Sequence, residues 1–307
     1  MSLKSSLQPA ADTLKRAWAK TPLISPLRLE RRSHMLYVPR LRKEAFPKIN
    51  LIIIGAQKSG TTTLYKYLAA QPHIHMSYPF KEPGYFNDWT FIRRYFERDR
   101  GYRIGSREEL YRRYMLKGYA GQPLFGEAST YYTIGDQSRG QHIPQRMMKE
   151  CGPEVKLIYI MRDPFERMRS NYLHLIRKNY TSGAYQNVIQ EEEILVKTGR
   201  YHYQLEPYAA TFGQKNLLLL EFDELRHHPS RIIRRLKDFL QLELSDDTGL
   251  LSASNVAGNR PQYSAESLEL PEEAQRRMYA IFSEDARLLK RDYGVEPAWT
   301  QRYQMQE

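Results

Sequence analysis

Apolar positions along this chain follow two alternating rhythms. Short runs with few polar breaks occupy residues 51–54 (LIII), 156–161 (KLIYIM) and 216–222 (NLLLLEF). Runs of that length, apolar at consecutive positions, are what a parallel strand covered on both faces requires. Shorter versions at 73–77 and 124–127 predict two more strands. Between them apolar residues recur every three or four positions, the period of a helix with one buried face. Leu64, Tyr67 and Leu68 share such a face behind Thr61-Thr62-Thr63. The same period predicts helices over 90–98, 106–117, 164–178, 186–196, 201–212, 231–242 and 272–290. Ser106 and Glu109 stand at capping-box spacing, and Pro164 suits the first position of its helix. Residues 245–265 carry no period and contain Asn255, Gly258, Asn259, Arg260 and Pro261, which predicts a long loop. Strands alternating with helices predict an α/β fold of three layers, a central parallel sheet with helices on both faces.

The turn after the first strand is the first candidate for chemistry. Gly55 and Gly60 bracket Gln57, Lys58 and Ser59, and the three threonines then open a helix. Backbone N–H groups and the helix dipole converge at such a place, hydroxyls add donors, and Lys58 adds a full charge, so the stretch predicts a P-loop-like phosphate cradle. In G-x-x-x-x-G-K-[ST] the lysine follows the second glycine. Here Thr61 holds that position, and the lysine has moved back into the loop. A second candidate follows the 156–161 strand, where Arg162-Asp163-Pro164-Phe165-Glu166-Arg167 leads into a helix. An arginine at a strand end offers phosphate a fork of donors, and Ser170, two helical turns after Asp163, can face the same pocket. Arg162 could equally pair with Asp163 or Glu166.

These two stretches carry a family resemblance. Lys58 to Leu64, KSGTTTL, resembles the 5′-phosphosulfate loop of sulfotransferases that use 3′-phosphoadenylyl sulfate (PAPS). Arg162 to Tyr172, R-D-P-x-E-R-x-x-S-x-Y, is similar to their 3′-phosphate motif. The resemblance extends over most of residues 49–292 and implies PAPS as cofactor, adenosine 3′,5′-bisphosphate as product, and no metal. By it, Gly55, Gln57, Ser59, Gly60, Thr61, Thr62 and Thr63 line the 5′-phosphate site, and Arg162 and Ser170 hold the 3′-phosphate. Lys58 meets the charge that develops on the bridging and sulfuryl oxygens. Gly258, Asn259 and Arg260 stand where the family closes over the 3′-phosphate. Lys81 to Asn87, KEPGYFN, resembles the acceptor-side loop of the heparan and chondroitin branch, which makes Glu82 the expected base, with Lys81, Glu127 and Ser129 beside the acceptor. Two readings compete for these carboxylates. Glu82 could simply pair with Lys81 on an exposed turn, and Glu127 could be the base or could order the pocket. The chain departs from its branch at Ala128, where a lysine is frequent, and lacks the cysteine pair of many Golgi members. The implied acceptor is a carbohydrate or glycolipid hydroxyl, with lipid, peptide and small-molecule alcohols open. The rival readings are a nucleoside or sugar kinase, which would need a lysine at 61 and an Asp-bearing Mg²⁺ strand, and a non-catalytic binder of acidic polymers.

Composition adds a boundary and a charge. The net charge of +12 is concentrated at the start, where residues 1–48 hold 11 Lys+Arg against 3 Asp+Glu. That segment reads as an appendage to a domain spanning 49–307, with Leu3, Leu7, Ala10, Ala11, Leu14 and Trp18 at helical spacing. It would dock on the domain itself or stay partly disordered, serve as an organelle presequence, or meet a partner or an anionic membrane surface as a basic amphipathic helix. A basic balance suits an acidic cofactor, and the body lacks the dense basic patch with interleaved aromatics of a nucleic-acid binder. No run approaches the roughly 18 apolar residues of a membrane span. That and the single cysteine, Cys151, set the expectation of a cytoplasmic, at most membrane-peripheral, protein. The eight histidines are scattered, and His142, His174 and the His227-His228 pair read as surface or packing residues.

Overall fold

The computed structural model describes residues 46–191, 193–251 and 268–304. The expected amino-terminal helix and the triplet Gly258, Asn259 and Arg260 lie outside the described residues. Five parallel strands form one sheet: β1 (Leu51–Gly55), β2 (Ile74–Met76), β3 (Leu124–Ala128), β4 (Lys156–Met161) and β5 (Leu217–Glu221), in the order β2-β3-β1-β4-β5. All five fall on the apolar runs, with each end within one residue of the expected one. Central β1 pairs with β3 from Leu51 opposite Gly126 and with β4 from Leu51 opposite Lys156.

Strand alternation divides the core in two. Ile52 and Ile54 of β1, with Leu157, Tyr159 and Met161 of β4, join one cluster. Leu51 and Ile53, with Ile158 and Ile160, join the other. Each cluster is covered by helices, so the sheet is the middle of three layers. One face receives α1 (Thr61–Ala69) through Leu64, Tyr67 and Leu68. Helix α2 (Trp89–Tyr95) buries Ile92 and Tyr95 on the opposite face, joined there by α3 (Ile143–Cys151) through Ile143 and Met147. The long α4 (Pro164–Arg177) and α5 (Tyr201–Phe212) follow on that same face. Helix α6 (Pro229–Leu240) returns to the α1 side, and α7 (Glu272–Tyr293) closes the α4 side.

The chain leaving β1 therefore turns towards one face and the chain leaving β4 towards the other. A crevice opens at the carboxyl ends of these neighbours, the place where open α/β sheets bind ligands. Two expected helices differ in detail. Trp89–Tyr95 continues as a wider π-helical stretch over Phe96–Arg100, and Arg107–Glu109 continues likewise over Leu110–Met115. Ser106 caps the latter by accepting from the Glu109 amide at 3.0 Å, but the Glu109 carboxylate reaches Gly105 N rather than the cap residue itself. Among the described residues no helix is long and apolar enough to cross a membrane.

The crevice needs a residue without a side chain at the end of β1. A Cβ on Gly55 would lie 2.2 Å from Thr133 Oγ1 and 2.6 Å from Tyr159 Cε2. Gly55→Ala is therefore expected to destabilise the protein by about 1–3 kcal/mol, the usual cost of overpacking a filled core. Urea unfolding checks this, and an unchanged midpoint would contradict it.

Candidate active site

The loop from β1 to α1 has the geometry of an anion cradle. Lys58 and Gly60 both take left-handed backbone conformations, with φ of 69° and 88°. A Cβ on Gly60 would meet Phe222 Cδ2 at 2.8 Å and Leu225 Cδ2 at 2.9 Å. The amides of Thr63 and Leu64 bond back to Gly60 O, at 3.0 and 3.2 Å, and no side chain caps α1. That leaves the amides of Thr61 and Thr62 without an acceptor inside their own helix. Ser59 Oγ is buried without a hydrogen-bond partner. Unmatched donors gathered at a helix start suit a multiply charged oxyanion.

Cations surround this loop in excess of acids. Burial pushes the Lys58 ammonium down to about 8, the charges of Arg177, Arg162 and Lys81 push the same way, and Glu82 opposes them. Arg162 stands at the end of β4, across the crevice. Its Nη1 donates to Lys58 O at 3.3 Å, its Nη2 lies 3.4 Å from Glu166 Oε2, and its guanidinium rests on the Phe222 ring, 4.8 Å from the centroid. The expected alternative partner Glu166 is thus engaged, and Arg162 also reaches the loop. Asp163 caps α4 by accepting from the amides of Phe165 and Glu166.

Ser170 lies half-buried on α4. His174 and Arg177 follow it at steps of four and three, along one stripe of that helix. Burial first, then Lys58, Lys178 and Arg177, hold the His174 imidazole down to about 4, so it is neutral at ordinary pH. The sequence alone reads His174 as a surface or packing residue and leaves Arg177 unmarked. The helical spacing from Ser170 is the signal that could have found both.

The opposite wall is the loop after β2. Lys81 Nζ donates to Thr61 Oγ1 at 3.1 Å and to Glu82 Oε1 at 2.8 Å, while Thr130 Oγ1 donates to Glu82 Oε2 at 3.2 Å. Two hydrogen bonds therefore link Glu82 to the start of α1. The pairing with Lys81 is present, but the turn is not an exposed one, since the side chains of Lys81 and Glu82 are 15% and 21% exposed. Glu127 and Ser129, expected beside the acceptor, are instead fully enclosed at 0% exposure. Ser129 Oγ donates to Glu127 Oε2 at 2.7 Å and accepts from Gly84 N at 2.9 Å. Tyr132 OH donates to Glu127 Oε1 and accepts from Phe86 N. The buried carboxyl thus orders the loop that carries Glu82. Desolvation raises it to about 7, against the hydrogen bonds from Tyr132 and Ser129. Among the described residues no group of three or more His, Cys, Asp or Glu side chains gathers as metal ligands would.

Comparison with known proteins bears on the family and the fold. Residues 48–266 match the sequence model of the family described as sulfotransferase domain. The mouse heparan sulfate glucosamine 3-O-sulfotransferase 3B1 is 26% identical over 201 residues, covering 62% of this chain and 46% of that protein. The bifunctional heparan sulfate N-deacetylase/N-sulfotransferase 1 of Caenorhabditis elegans is 23% identical over 292 residues, covering 87% of this chain and 32% of that protein. The chain thus spans less than half the length of these relatives. A crystal structure of a sulfotransferase from Alicyclobacillus acidocaldarius shares the fold, with a TM-score of 0.63 at 22% identity, covering 84% of this chain and all of the other.

Two pH effects are expected. An oxyanion in the loop favours charged Lys58, so its binding takes up a proton wherever the empty site has lost one. Affinity for adenosine 3′,5′-bisphosphate should be full below pH 8 and fall as pH rises through that value. Calorimetry in buffers of differing protonation heat measures the uptake, and the same proton count at pH 7 and pH 9 would contradict it. Glu127 works in the other sense, on stability. Its folded-state value of about 7 lies above that of an unfolded glutamate, so its contribution is full in acid and is lost as pH rises through 7. Glu127→Gln should therefore gain stability relative to wild type between pH 5 and pH 8. A constant difference across that range, by denaturant unfolding, would show that the carboxyl does not titrate there.

Proposed function

Because the chain belongs to the sulfotransferase domain family, we propose that the β1–β4 crevice transfers a sulfuryl group from PAPS to an acceptor hydroxyl, with Glu82 as the base. The observation that carries this reading is the Thr61–Lys81–Glu82 chain, which sets a carboxylate two hydrogen bonds from the start of a phosphate cradle. The residues fit the donor. The amides of Thr61 and Thr62, the unpartnered Ser59 hydroxyl and the Lys58 ammonium suit the 5′-phosphosulfate end. Arg162, steadied on Phe222, faces the other side of the crevice with Ser170 as the reader of a 3′-phosphate. Bound there, PAPS supplies an activated sulfur–oxygen bond.

The protein's part is positioning and charge. The acceptor oxygen forms the new S–O bond while its proton passes to a Glu82 carboxylate oxygen. The S–O bond to the bridging phosphate oxygen breaks, and its electron pair leaves with adenosine 3′,5′-bisphosphate. Lys58 meets the charge that gathers on the bridging oxygen, where partial desolvation strengthens its pull. Lys81 holds the Glu82 carboxylate towards the cradle. The names of the relatives support a carbohydrate hydroxyl as the acceptor.

Incubation with ³⁵S-labelled PAPS and a panel of heparan sulfate, chondroitin, a neutral glycolipid and a simple phenol tests both parts. Label is expected on a carbohydrate, and labelling of the phenol alone would overturn the acceptor class. Glu82→Gln keeps the size of the side chain and removes its basicity. It should lower turnover by roughly 10²–10⁴, the worth of a general base, and a loss below about tenfold would remove Glu82 from that role.

A further inference from the structure

The loop that carries Glu82 is gripped on two sides, and only one belongs to the Glu127 network. On that side the amides of Gly84 and Phe86 donate to Ser129 Oγ and Tyr132 OH. On the other side three consecutive carbonyls meet two arginines from distant parts of the chain. Arg107 donates through Nη1 to Tyr85 O and through Nη2 to Asn87 O. Arg146, on α3, donates through Nη1 to Phe86 O between them, and its Nη2 is fixed by Asp88 Oδ1 at 2.9 Å and Gln141 O at 3.0 Å. Arg107 also lies over the Tyr85 ring, 5.9 Å from its centroid.

Two guanidiniums placed side by side repel, and burial and Arg146 both weaken the hold of Arg107 on its proton. Such an arrangement persists only where acceptors compensate it, and here these are three carbonyls of one short loop, with Asp88 and Gln141 O beside Arg146 and the Glu150 charge supporting Arg107. A carbonyl that accepts from a charged donor is held more firmly than one in a neutral bond. Removing a guanidinium leaves the carbonyls it served unsatisfied, at a cost that a shift of the loop relieves.

We propose that Arg107 and Arg146 form a guanidinium clamp that positions the Glu82 loop for catalysis, holding the carbonyl side of residues 85–87 as Glu127 holds the amide side. Both arginines act through the place they give the base. A misplacement of about 1 Å in a reacting group can cost on the order of 10²-fold in rate, so loosening the clamp should lower kcat and leave donor binding alone. This proposal rests on the assignment of Glu82 as base, and the experiment separates the two.

Arg107→Ala, Arg107→Lys, Arg146→Ala and Arg146→Lys are each made in the full chain, alone and combined with Glu82→Gln. Turnover of ³⁵S-labelled PAPS is measured with heparan sulfate and with water alone as acceptor, and amide hydrogen exchange is read over residues 82–88. The alanine variants should lose about 10²-fold in kcat with the KM for PAPS within twofold, and the lysine variants should recover part of that loss. In the Glu82→Gln background the arginine substitutions should cost nothing further. Exchange at Gly84, Phe86 and Asn87 should quicken at least tenfold, while Thr63 and Leu64 keep wild-type protection. Unchanged exchange in the loop, or an undiminished loss of turnover on top of Glu82→Gln, would overturn the clamp. If Glu82→Gln itself leaves turnover intact, the base assignment falls, and loop exchange still decides whether the arginines position it. If an alanine variant does not fold, its lysine counterpart decides by the same readings.

Discussion

Positive charge that nearby acids do not balance is the constraint from which the rest of this site follows. Lys58, Lys81, Arg162 and Arg177 act on one small volume at the carboxyl ends of β1 and β4, with Glu82 set against them. Charges in such a place are desolvated and repel one another. The empty protein meets that cost by letting Lys58 and His174 give up protons more readily than they would in water. An incoming polyanion reverses the balance, since every cation then has a partner. A site built in this way is strained when empty and matched when full, which is the electrostatic form of preorganisation.

The sheet makes this concentration of charge tolerable. Central β1 and β4 are apolar on both faces, and a polar opening lies at their carboxyl ends, where helices leave in opposite directions. Glycines at 55 and 60 let the loop sink against Thr133, Tyr159, Phe222 and Leu225 with no side chain in between. Fully enclosed Glu127 spends its hydrogen-bonding capacity on Ser129 and Tyr132, and through them on the loop that carries Glu82. A carboxyl raised to about 7 in that position orders its surroundings while carrying less negative charge next to Glu82 than an ordinary glutamate would.

Much of this was legible in the chain because it is local. A buried parallel strand must be apolar at successive positions, so the runs at 51–54 and 156–161 declared themselves, and the phosphate loop was a contiguous stretch. Arg162 stood out because it follows a strand directly. What was hidden depends on distance. The resemblance set Glu127 and Ser129 beside the acceptor and left Glu127 free to order the pocket; the bonds from Gly84 N to Ser129 and from Phe86 N to Tyr132 that support the ordering role span 45 and 46 residues, beyond any local pattern. Arg107 and Arg146 reach across 22 and 60 residues to carbonyls that any residue would offer, so no local pattern marks them. The π-helical stretches at Phe96–Arg100 and Leu110–Met115 escaped for a related reason. Aromatics such as Phe80, Phe96, Tyr102 and Tyr114 pack there in edge-to-face and tilted contacts, and tertiary packing overrides the regular helical period.

The central claim is that the crevice reads both phosphates of one nucleotide, the 5′ end at the Lys58 loop and the 3′ end at Arg162. Isothermal titration of adenosine 3′,5′-bisphosphate and adenosine 5′-monophosphate, into wild type and Arg162→Ala, tests it most directly. A hydrogen bond to a charged group contributes about 1.5–3 kcal/mol, roughly 10- to 150-fold in affinity. Wild type should prefer the bisphosphate by at least that factor, and Arg162→Ala should lose most of the preference while binding the monophosphate as before. Equal affinity of wild type for the two nucleotides, or an unchanged preference in Arg162→Ala, would contradict the account.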